Sequence, residues 1–153
     1  MQPYKHTQFS AISVISLAIA FAVTVAVFVM VPEGRIVTGP VFTLFALALV
    51  LFYALTVEVS PDEVLLVFGI GLIWKSIEIS SIRDARMVRN KWYYGWGIRL
   101  TPYGWLWNAS GLDAVELEFD GGKTFRIGSD EPEALLSAIR NAVELEDDST
   151  QSR

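Results

Sequence analysis

The sequence predicts an α+β membrane protein, in which a two-helix transmembrane hairpin leads into an antiparallel β domain with a C-terminal helix. Two observations predict this class. The first 57 of the 153 residues carry only three formal charges, Lys5, Glu33 and Arg35. The rest of the chain consists of short segments of alternating polarity, separated by Gly, Pro, Asn and Asp. The absence of cysteine excludes a disulfide scaffold, a cysteine-ligated metal site and thiol catalysis.

The first predicted helix is an apolar run of 23 residues, 9–31, without a charge. At about 1.5 Å of rise per residue, it extends for roughly 34 Å and is long enough to cross a hydrocarbon core. A cleaved signal peptide is the alternative, because Lys5 precedes the run and residues 18–20 resemble a cleavage site. Eleven further uncharged residues follow Ala20, however, whereas the apolar part of a signal ends before its cleavage site.

The second predicted helix covers 20 residues, 38–57, and a turn over 32–35 separates it from the first. Because this connection is short, the two helices should form an antiparallel hairpin over residues 9–57. Ser16, Ala20 and Thr24 recur at every fourth position and would allow close helix packing. This stripe could face the partner helix or another copy of the chain, or it could reflect ordinary membrane-helix composition.

The distribution of basic residues predicts how the hairpin is oriented. Lys5 precedes the first helix, and the domain after the second helix is rich in Lys and Arg. Basic residues favour the cytoplasmic side of a membrane. We therefore expect a multi-pass membrane protein with both termini in the cytoplasm.

Residues 58–143 are predicted to form one β domain. Over 72–79 the apolar residues Ile73, Ile77 and Ile79 alternate with polar neighbours, which is typical of a half-buried strand. The strongest pattern joins two alternating runs, 113–119 and 123–127, through an Asp-Gly-Gly turn, and predicts a β-hairpin. Further strands are expected at 55–59, 63–68, 84–90, 97–101 and 105–108.

The last structured segment changes to helical periodicity. Residues 131–143 place an apolar stripe at helical spacing, and this helix should cover an open end or face of the sheet. Residues 144–153 are polar and acidic and are expected to form a disordered tail, and residues 1–8 an N-terminal tail. The stripe consists of Leu135, Leu136, Ile139, Ala142 and Val143.

Four stretches carry a resemblance to a known family. They are residues 77–82 leading into a basic strand, 95–99, 115–119 with the Gly-Gly turn after it, and 125–132 leading into the helix. Over about 55–143 the chain resembles the bacterial pleckstrin-homology-like (PH-like) membrane proteins, which implies a location in the bacterial inner (cell) membrane. The resemblance implies a partly open barrel of seven strands closed by a C-terminal helix, and no defined activity. Specific inositol-phosphate binding is not carried over, because the candidate loops 60–62 and 69–71 contain no basic residue.

The residues available for catalysis are few. His6 is the only histidine and lies in the predicted N-terminal tail, which argues against a Ser-His or His-metal site within the domain. Glu116 and Glu118 alternate outward on a predicted strand and should be solvated. The segments 69–71 and 95–97, each with two glycines, do not match the spacing of phosphate-binding loops. We therefore expect no enzyme, no catalytic residue, no metal and no cofactor, unless a carboxylate pair meets in a cleft.

One stretch suggests a contact surface. Residues 75–99 contain six basic and two acidic residues, interleaved with Trp and Tyr, in a chain of net charge −5. Arg and Lys beside aromatic rings suit a membrane interface, where the rings lie at headgroup level and the bases meet anionic lipid. The candidate membrane or partner contacts are Arg83, Arg86, Arg89, Lys91, Trp92, Tyr93, Tyr94 and Trp96.

Three other interpretations of this stretch remain open. The arginines could form an ordinary solvated strand face, with Trp105 and Trp107 in the core. The aromatic residues could instead bind a protein. Nucleic acid is disfavoured and not expected as a partner, because residues 58–143 carry 12 carboxylates against 9 bases.

The expected function is that of a non-enzymatic lipid- or protein-interaction module at the membrane. Its partners would be the lipid bilayer, with anionic lipid headgroups or another membrane protein as the specific contact. The alternative is a structural homo-oligomeric membrane scaffold without a lipid-binding role.

Overall fold

The computed structural model describes residues 4–31 and 35–151 and confirms the α+β class, with three helices and two sheets in that part of the chain. Two short 3-10 turns, Ile79–Ser81 and Trp92–Tyr94, precede and follow the fifth strand. The helices are α1 (Ala11–Met30), α2 (Arg35–Phe52) and α3 (Pro132–Gln151). The strands are β1 (Tyr4–Phe9), β2 (Ala54–Val59), β3 (Glu63–Phe68), β4 (Ile73–Glu78), β5 (Ile82–Arg89), β6 (Gly97–Thr101), β7 (Gly104–Asn108), β8 (Asp113–Phe119) and β9 (Thr124–Gly128).

The first sheet is antiparallel, in the order β1-β2-β3-β4. Its outermost strand, β1, corrects the prediction of an N-terminal tail over 1–8. In β1, Tyr4 pairs with Val59 and Phe9 pairs with Ala54. The segment is mostly polar, and its one fully buried side chain is Gln8. The strand therefore forms by pairing with β2, and its own sequence has no apolar pattern that would predict it.

The second sheet has the order β5-β8-β9-β7-β6. The predicted hairpin is confirmed, because β8 and β9 pair antiparallel and bring Leu117 opposite Phe125. The strand β9 then inserts beside β7, and these two strands are parallel. The described residues thus form nine strands with one parallel pair, whereas about seven antiparallel strands were predicted.

The hydrophobic core lies between the two sheets and α3. Leu66 and Phe68 of the first sheet and Leu117 and Ile127 of the second are fully buried. The predicted stripe of α3 is confirmed, since Leu135, Ile139 and Ala142 are fully buried while Leu136 and Val143 pack at the edge of the core.

The helix α3 lies against β2 of the first sheet and against β5 and β8 of the second. The guanidinium of Arg140 fixes it by donating a hydrogen bond of 2.8 Å to the carbonyl oxygen of Ala85. The helix continues to Gln151 instead of ending at 143, because the sequence after 143 contains no Gly or Pro before that residue.

The helical hairpin is shorter than the two apolar runs that predicted it. Phe9 belongs to β1, and β2 begins at Ala54, so only fifteen of the twenty residues of the run 38–57 are helical. The predicted turn over 32–35 falls largely outside the described residues.

No helix in the described part of the chain is both long enough and apolar enough to cross a membrane. The prediction of a multi-pass inner-membrane protein with two transmembrane helices is therefore wrong. The prediction that both termini are cytoplasmic depended on those spans and has no basis without them.

The hairpin joins the β domain through a close junction at the end of α2. The rings of Phe52 and Phe68 meet edge-on, with centroids 5.5 Å apart. Gly69, in the turn after β3, has a φ of +52°, and a Cβ atom there would collide with the carbonyl oxygen of Val50. A glycine is required at this position because the turn packs directly on the backbone of α2.

Candidate functional site

The eight predicted contact residues lie on two consecutive segments. Three arginines lie on β5, which forms one edge of the second sheet. The other five residues lie in the loop after β5. This loop, Lys91–Trp96, is here called the aromatic loop, and it contains a 3-10 turn. The two segments have different surroundings and must be considered separately.

The β5 arginines face carboxylates on and after β8. These pairings place a negative charge beside each of the three arginines and reduce the positive charge that β5 offers to an anionic ligand. The exposed pairs contribute little to stability because water screens them. The pairs are Arg83 with Asp120 at 3.8 Å, Arg86 with Glu116 at 2.9 Å, and Arg89 with Asp113 at 4.0 Å.

Glu116 is the centre of a buried ion network. Its side chain is only 2% exposed, and it accepts hydrogen bonds from Arg86 Nε at 2.9 Å and from Arg126 Nε at 2.6 Å. Arg126 also donates to Asn90 Oδ1 at 3.2 Å and lies 4.2 Å from the ring centroid of Tyr103. The expectation that Glu116 is a solvated strand residue is wrong, because Arg126, Asn90 and Tyr103 cover this part of the sheet.

The charge state of Glu116 follows from two opposing effects. Burial acts to raise the pKa of Glu116, but the hydrogen bonds and charges of Arg86 and Arg126 outweigh burial and hold this pKa below its ordinary value. The carboxyl group is therefore ionised at neutral pH and bound to two guanidinium groups. This arrangement stabilises the sheet and leaves no proton for acid catalysis.

The aromatic loop presents two of its rings to solvent. Trp92 is 76% exposed and Tyr93 is also exposed, whereas Tyr94 and Trp96 are half-buried. Neighbouring rings meet edge-on, with the centroids of Tyr93 and Tyr94 separated by 5.0 Å. The ammonium group of Lys91 lies 5.6 Å from the ring centroid of Tyr93, and its hydrogen bond to Tyr93 raises the pKa of Lys91. Trp92, Tyr93 and Lys91 thus form an accessible cationic and aromatic surface.

Among the described residues, most of the exposed large apolar side chains lie on the helical hairpin. Side chains such as Ile19, which is 60% exposed, and Leu44, which is 65% exposed, project from both helices. Among the hairpin side chains described, only Thr24 and Thr38 are buried. Contiguous exposed apolar surface of this kind marks an interaction site.

The predicted stripe of small residues is not a separate face of the hairpin. Ser16 is exposed, Ala20 is half-buried, and Thr24 is buried in the seam between the helices. Thr24 also donates its hydroxyl hydrogen bond to the carbonyl oxygen of Ala20 at 2.8 Å. The stripe therefore contributes partly to packing within the hairpin.

Further exposed apolar residues surround the base of the hairpin. Ile70 and Leu72, in the turn between β3 and β4, are exposed next to the last turn of α2. On another side, Phe52 of α2 lines a crevice together with residues 96–99.

The strand β1 contacts the residues just before α3, a contact that was not predicted from the sequence. His6 Nε2 lies 2.8 Å from Asp130 Oδ1, and His6 Nδ1 lies 3.5 Å from Glu131 Oε2. Burial, followed by the charges of Glu131 and Asp130, raises the pKa of Tyr4 to about 12. These contacts place the one histidine in a structural join between β1 and α3. Nothing in the sequence indicates this join, since 124 residues separate His6 from Asp130.

The described residues contain no group of three or more His, Asp or Glu side chains placed to hold a metal ion. Comparison with protein-family models, with curated proteins and with solved structures finds no match to this chain. The resemblance to PH-like proteins gains no support from these comparisons and stays a prediction. Proposals about function must therefore rest on the geometry of the chain itself.

Proposed function

We propose that the protein is a non-enzymatic interaction module that binds a lipid surface through its helical hairpin and holds the β domain beside that surface. One observation carries this proposal: apolar side chains are exposed on both hairpin helices, while the β domain completes its own core without them. The hairpin therefore has a large apolar surface that the rest of the chain does not cover.

The distribution of the exposed side chains favours lipid as the occupant. Burying one Leu, Ile or Phe side chain contributes about 1.5 to 3 kcal/mol, so an uncovered hairpin carries a large cost in water. A protein partner usually covers one face of a helix pair. Acyl chains need no complementary face of fixed shape, and they can cover the exposed apolar side chains of both helices where these enter the lipid surface.

The surroundings of the hairpin base fit the polar boundary of a lipid layer. Ile70 and Leu72 would reach the acyl region, while Trp and Tyr side chains suit the headgroup level, where one end of the ring is apolar and the other is hydrated. In the described part of the chain, Lys91 and Arg99 form no ion pair with a carboxylate, unlike the β5 arginines. We therefore assign lipid contact to Lys91, Trp92 and Tyr93, and not to the three β5 arginines, whose charges face carboxylates.

For the fold, we propose that about residues 55–143 form a PH-like barrel. Two features support this: the hairpin is followed by a run of strands and then one helix, and α3 packs against strands of both sheets. An experimental structure that superimposes on PH domains over both sheets and α3 would support the assignment. An experimental structure that keeps the parallel pair of β7 and β9 but does not superimpose on PH domains would contradict the assignment.

Vesicle flotation of the full chain tests the proposed function. We expect the wild-type protein to float with neutral vesicles, and more strongly with anionic vesicles at low salt, because Lys91 and Arg99 add attraction that salt screens. A triple variant of exposed hairpin residues, Ile19→Asp, Val29→Asp and Leu44→Asp, should remain at the bottom of the gradient.

The matched control changes three exposed apolar residues of the β domain, Met87→Asp, Leu100→Asp and Leu145→Asp, and should float like the wild type. Flotation lost equally in both triple variants would contradict a specific role for the hairpin. A wild-type protein that stays unbound, and that light scattering shows as one defined oligomer without lipid, would instead support the homo-oligomeric scaffold.

A further inference from the structure

A second site lies within the β domain, in a cleft between the two sheets. The cleft has a volume of about 630 Å³ and opens between β4 at the edge of the first sheet and the strands β6, β7 and β9 of the second. Its size falls in the range of pockets that hold small organic ligands, about 300 to 1,000 Å³. It is distinct from the aromatic loop and from the hairpin, since none of its lining residues belongs to either.

The inner wall of the cleft is aromatic. Trp107 and Phe125 are buried there, and their rings lie 6.2 Å apart between centroids. Trp105 lines the same cleft but remains 51% exposed, so its ring is available to a ligand. Ile98 and Phe119, both half-buried, extend the apolar lining.

Two lysines give the cleft a positive charge. The ammonium group of Lys75 lies 5.7 Å from the ring centroid of Phe125, and Lys123 lines the same cleft. Neither lysine forms an ion pair within the described residues, although Lys5, Arg83, Arg86, Arg89 and Arg126 all do. The lining contains one carboxylate, Glu78, against these two ammonium groups.

We propose that this cleft binds a free, single-chain amphipathic carboxylate of the fatty-acid class. The carboxylate is held by Lys75 and Lys123, and the acyl chain lies against Trp105 and the aromatic wall. Charge complementarity selects the head group, because the ammonium groups lack other ionic partners in the described chain. The exposed ring of Trp105 next to two buried rings selects an apolar chain over a fully polar anion.

Titration calorimetry of the full chain with dodecanoate, below the concentration at which it forms micelles, tests the site. We expect one dodecanoate per chain, and affinity about tenfold weaker for dodecanol, which keeps the chain and lacks the charge. The double variant Lys75→Gln with Lys123→Gln should weaken dodecanoate binding by at least about tenfold. Lys5→Gln with Arg83→Gln removes the same charge from two exposed positions outside the cleft and should leave binding unchanged.

Two further measurements separate binding in the cleft from misfolding of the lysine variant and from binding at the hairpin. Trp105→Ala should weaken dodecanoate and dodecanol alike, because it removes contact with the chain and not with the head group. The hairpin triple variant with Ile19, Val29 and Leu44 changed to Asp should still bind one dodecanoate in the cleft, and this binding should weaken when Lys75 and Lys123 are also changed to Gln, so that failure of either proposal leaves the other standing. Equal affinity for dodecanol and dodecanoate, or unchanged dodecanoate binding by the Lys75 and Lys123 double variant, would overturn the proposed site.

Discussion

The hairpin and the β domain use similar apolar residues in opposite ways. Leu66, in β3, has no exposed surface, whereas Leu44, in α2, is 65% exposed. The difference arises from the elements that pack around each residue in the fold. The β3 sequence can turn one face inward because a second sheet and α3 cover that face, but the hairpin has only two helices and cannot bury more than its seam. Apolarity thus leads to burial only where the fold supplies a second layer.

Two leucine-to-alanine variants, one in the β domain and one in the hairpin, should show the largest difference in the free energy of unfolding. Leu66→Ala should lower the free energy of unfolding by about 3 kcal/mol, because it leaves a cavity in the core. Leu44→Ala should change it by less than about 0.5 kcal/mol, because its side chain packs against little of the protein. Urea unfolding followed by tryptophan fluorescence reports on the β domain, since all five Trp residues lie there. Equal losses in the two variants would contradict the assignment of separate roles.

The buried network of the β domain has no counterpart among the described residues of the hairpin, and it should respond strongly to a single substitution. Glu116→Gln should destabilise the domain by about 2 kcal/mol, because the buried guanidinium of Arg126 loses its carboxylate. The control is Glu118→Gln, two residues along the same strand and more exposed, for which we expect less than about 0.5 kcal/mol. A Glu116→Gln protein as stable as the control would show that the network contributes nothing to stability.

The junction between the two regions can be compared through two glycines. Gly69→Ala should cost at least about 1 kcal/mol, because Gly69 has a positive φ and its turn contacts the backbone of α2. Gly39→Ala, within α2, should leave stability unchanged or raise it slightly, because a Cβ there meets no atom within 4 Å and Ala favours a helix. Thermal unfolding of both variants checks the difference. A larger loss at Gly39 would mean that the hairpin packs more tightly than described.

The pH dependence of stability should show the smallest effect. The pKa of Glu116 is lowered in the folded protein, so its stabilising contribution is complete above its unfolded pKa, near the ordinary value of 4.5. That contribution is lost as the pH falls through the lower folded pKa. The stability difference between wild type and Glu116→Gln should therefore stay constant from pH 7 to about 5 and shrink below 4.5. A difference that persists undiminished in acid would contradict this account.

The parts of the fold that follow local patterns were predictable from the sequence. The alternation in β8 and β9 and the stripe on α3 identify elements whose inward faces are apolar over several residues. The strand β1 has no such pattern and forms by pairing with β2. Glu116 was misassigned because its burial depends on register, which places Arg86 and Arg126 on either side of it.

The candidate sites were only partly predictable for a related reason. The composition of the aromatic loop predicted Trp92 and Tyr93 as contact residues; both are exposed, and their contact with lipid or protein stays a prediction. The local sequence of β5 gave no sign that each arginine meets a carboxylate of another segment. The cleft combines residues from β4, β7 and β9 that are distant in sequence. Only the packing of the two sheets brings Lys75 and Lys123 to the same opening.

We expect lipid to cover the hairpin and to leave the outer surface of the β domain in water. The chain has no cysteine, so a single Cys variant can carry one nitroxide label at a chosen position. Labels at Ile19→Cys and Leu44→Cys report on the hairpin, Ile70→Cys on its base, and Leu145→Cys on the β domain. The measurement compares collisions of each label with oxygen, which enriches in lipid, and with a polar nickel complex, which stays in water.

With vesicles present, we expect the Ile19 and Leu44 labels to favour oxygen strongly, the Ile70 label to be intermediate, and the Leu145 label to favour nickel. The ranking should disappear when the vesicles are removed. Hairpin labels that remain accessible to nickel in the presence of vesicles, or that show spin–spin broadening between copies without any gain in oxygen access, would contradict the lipid-binding account.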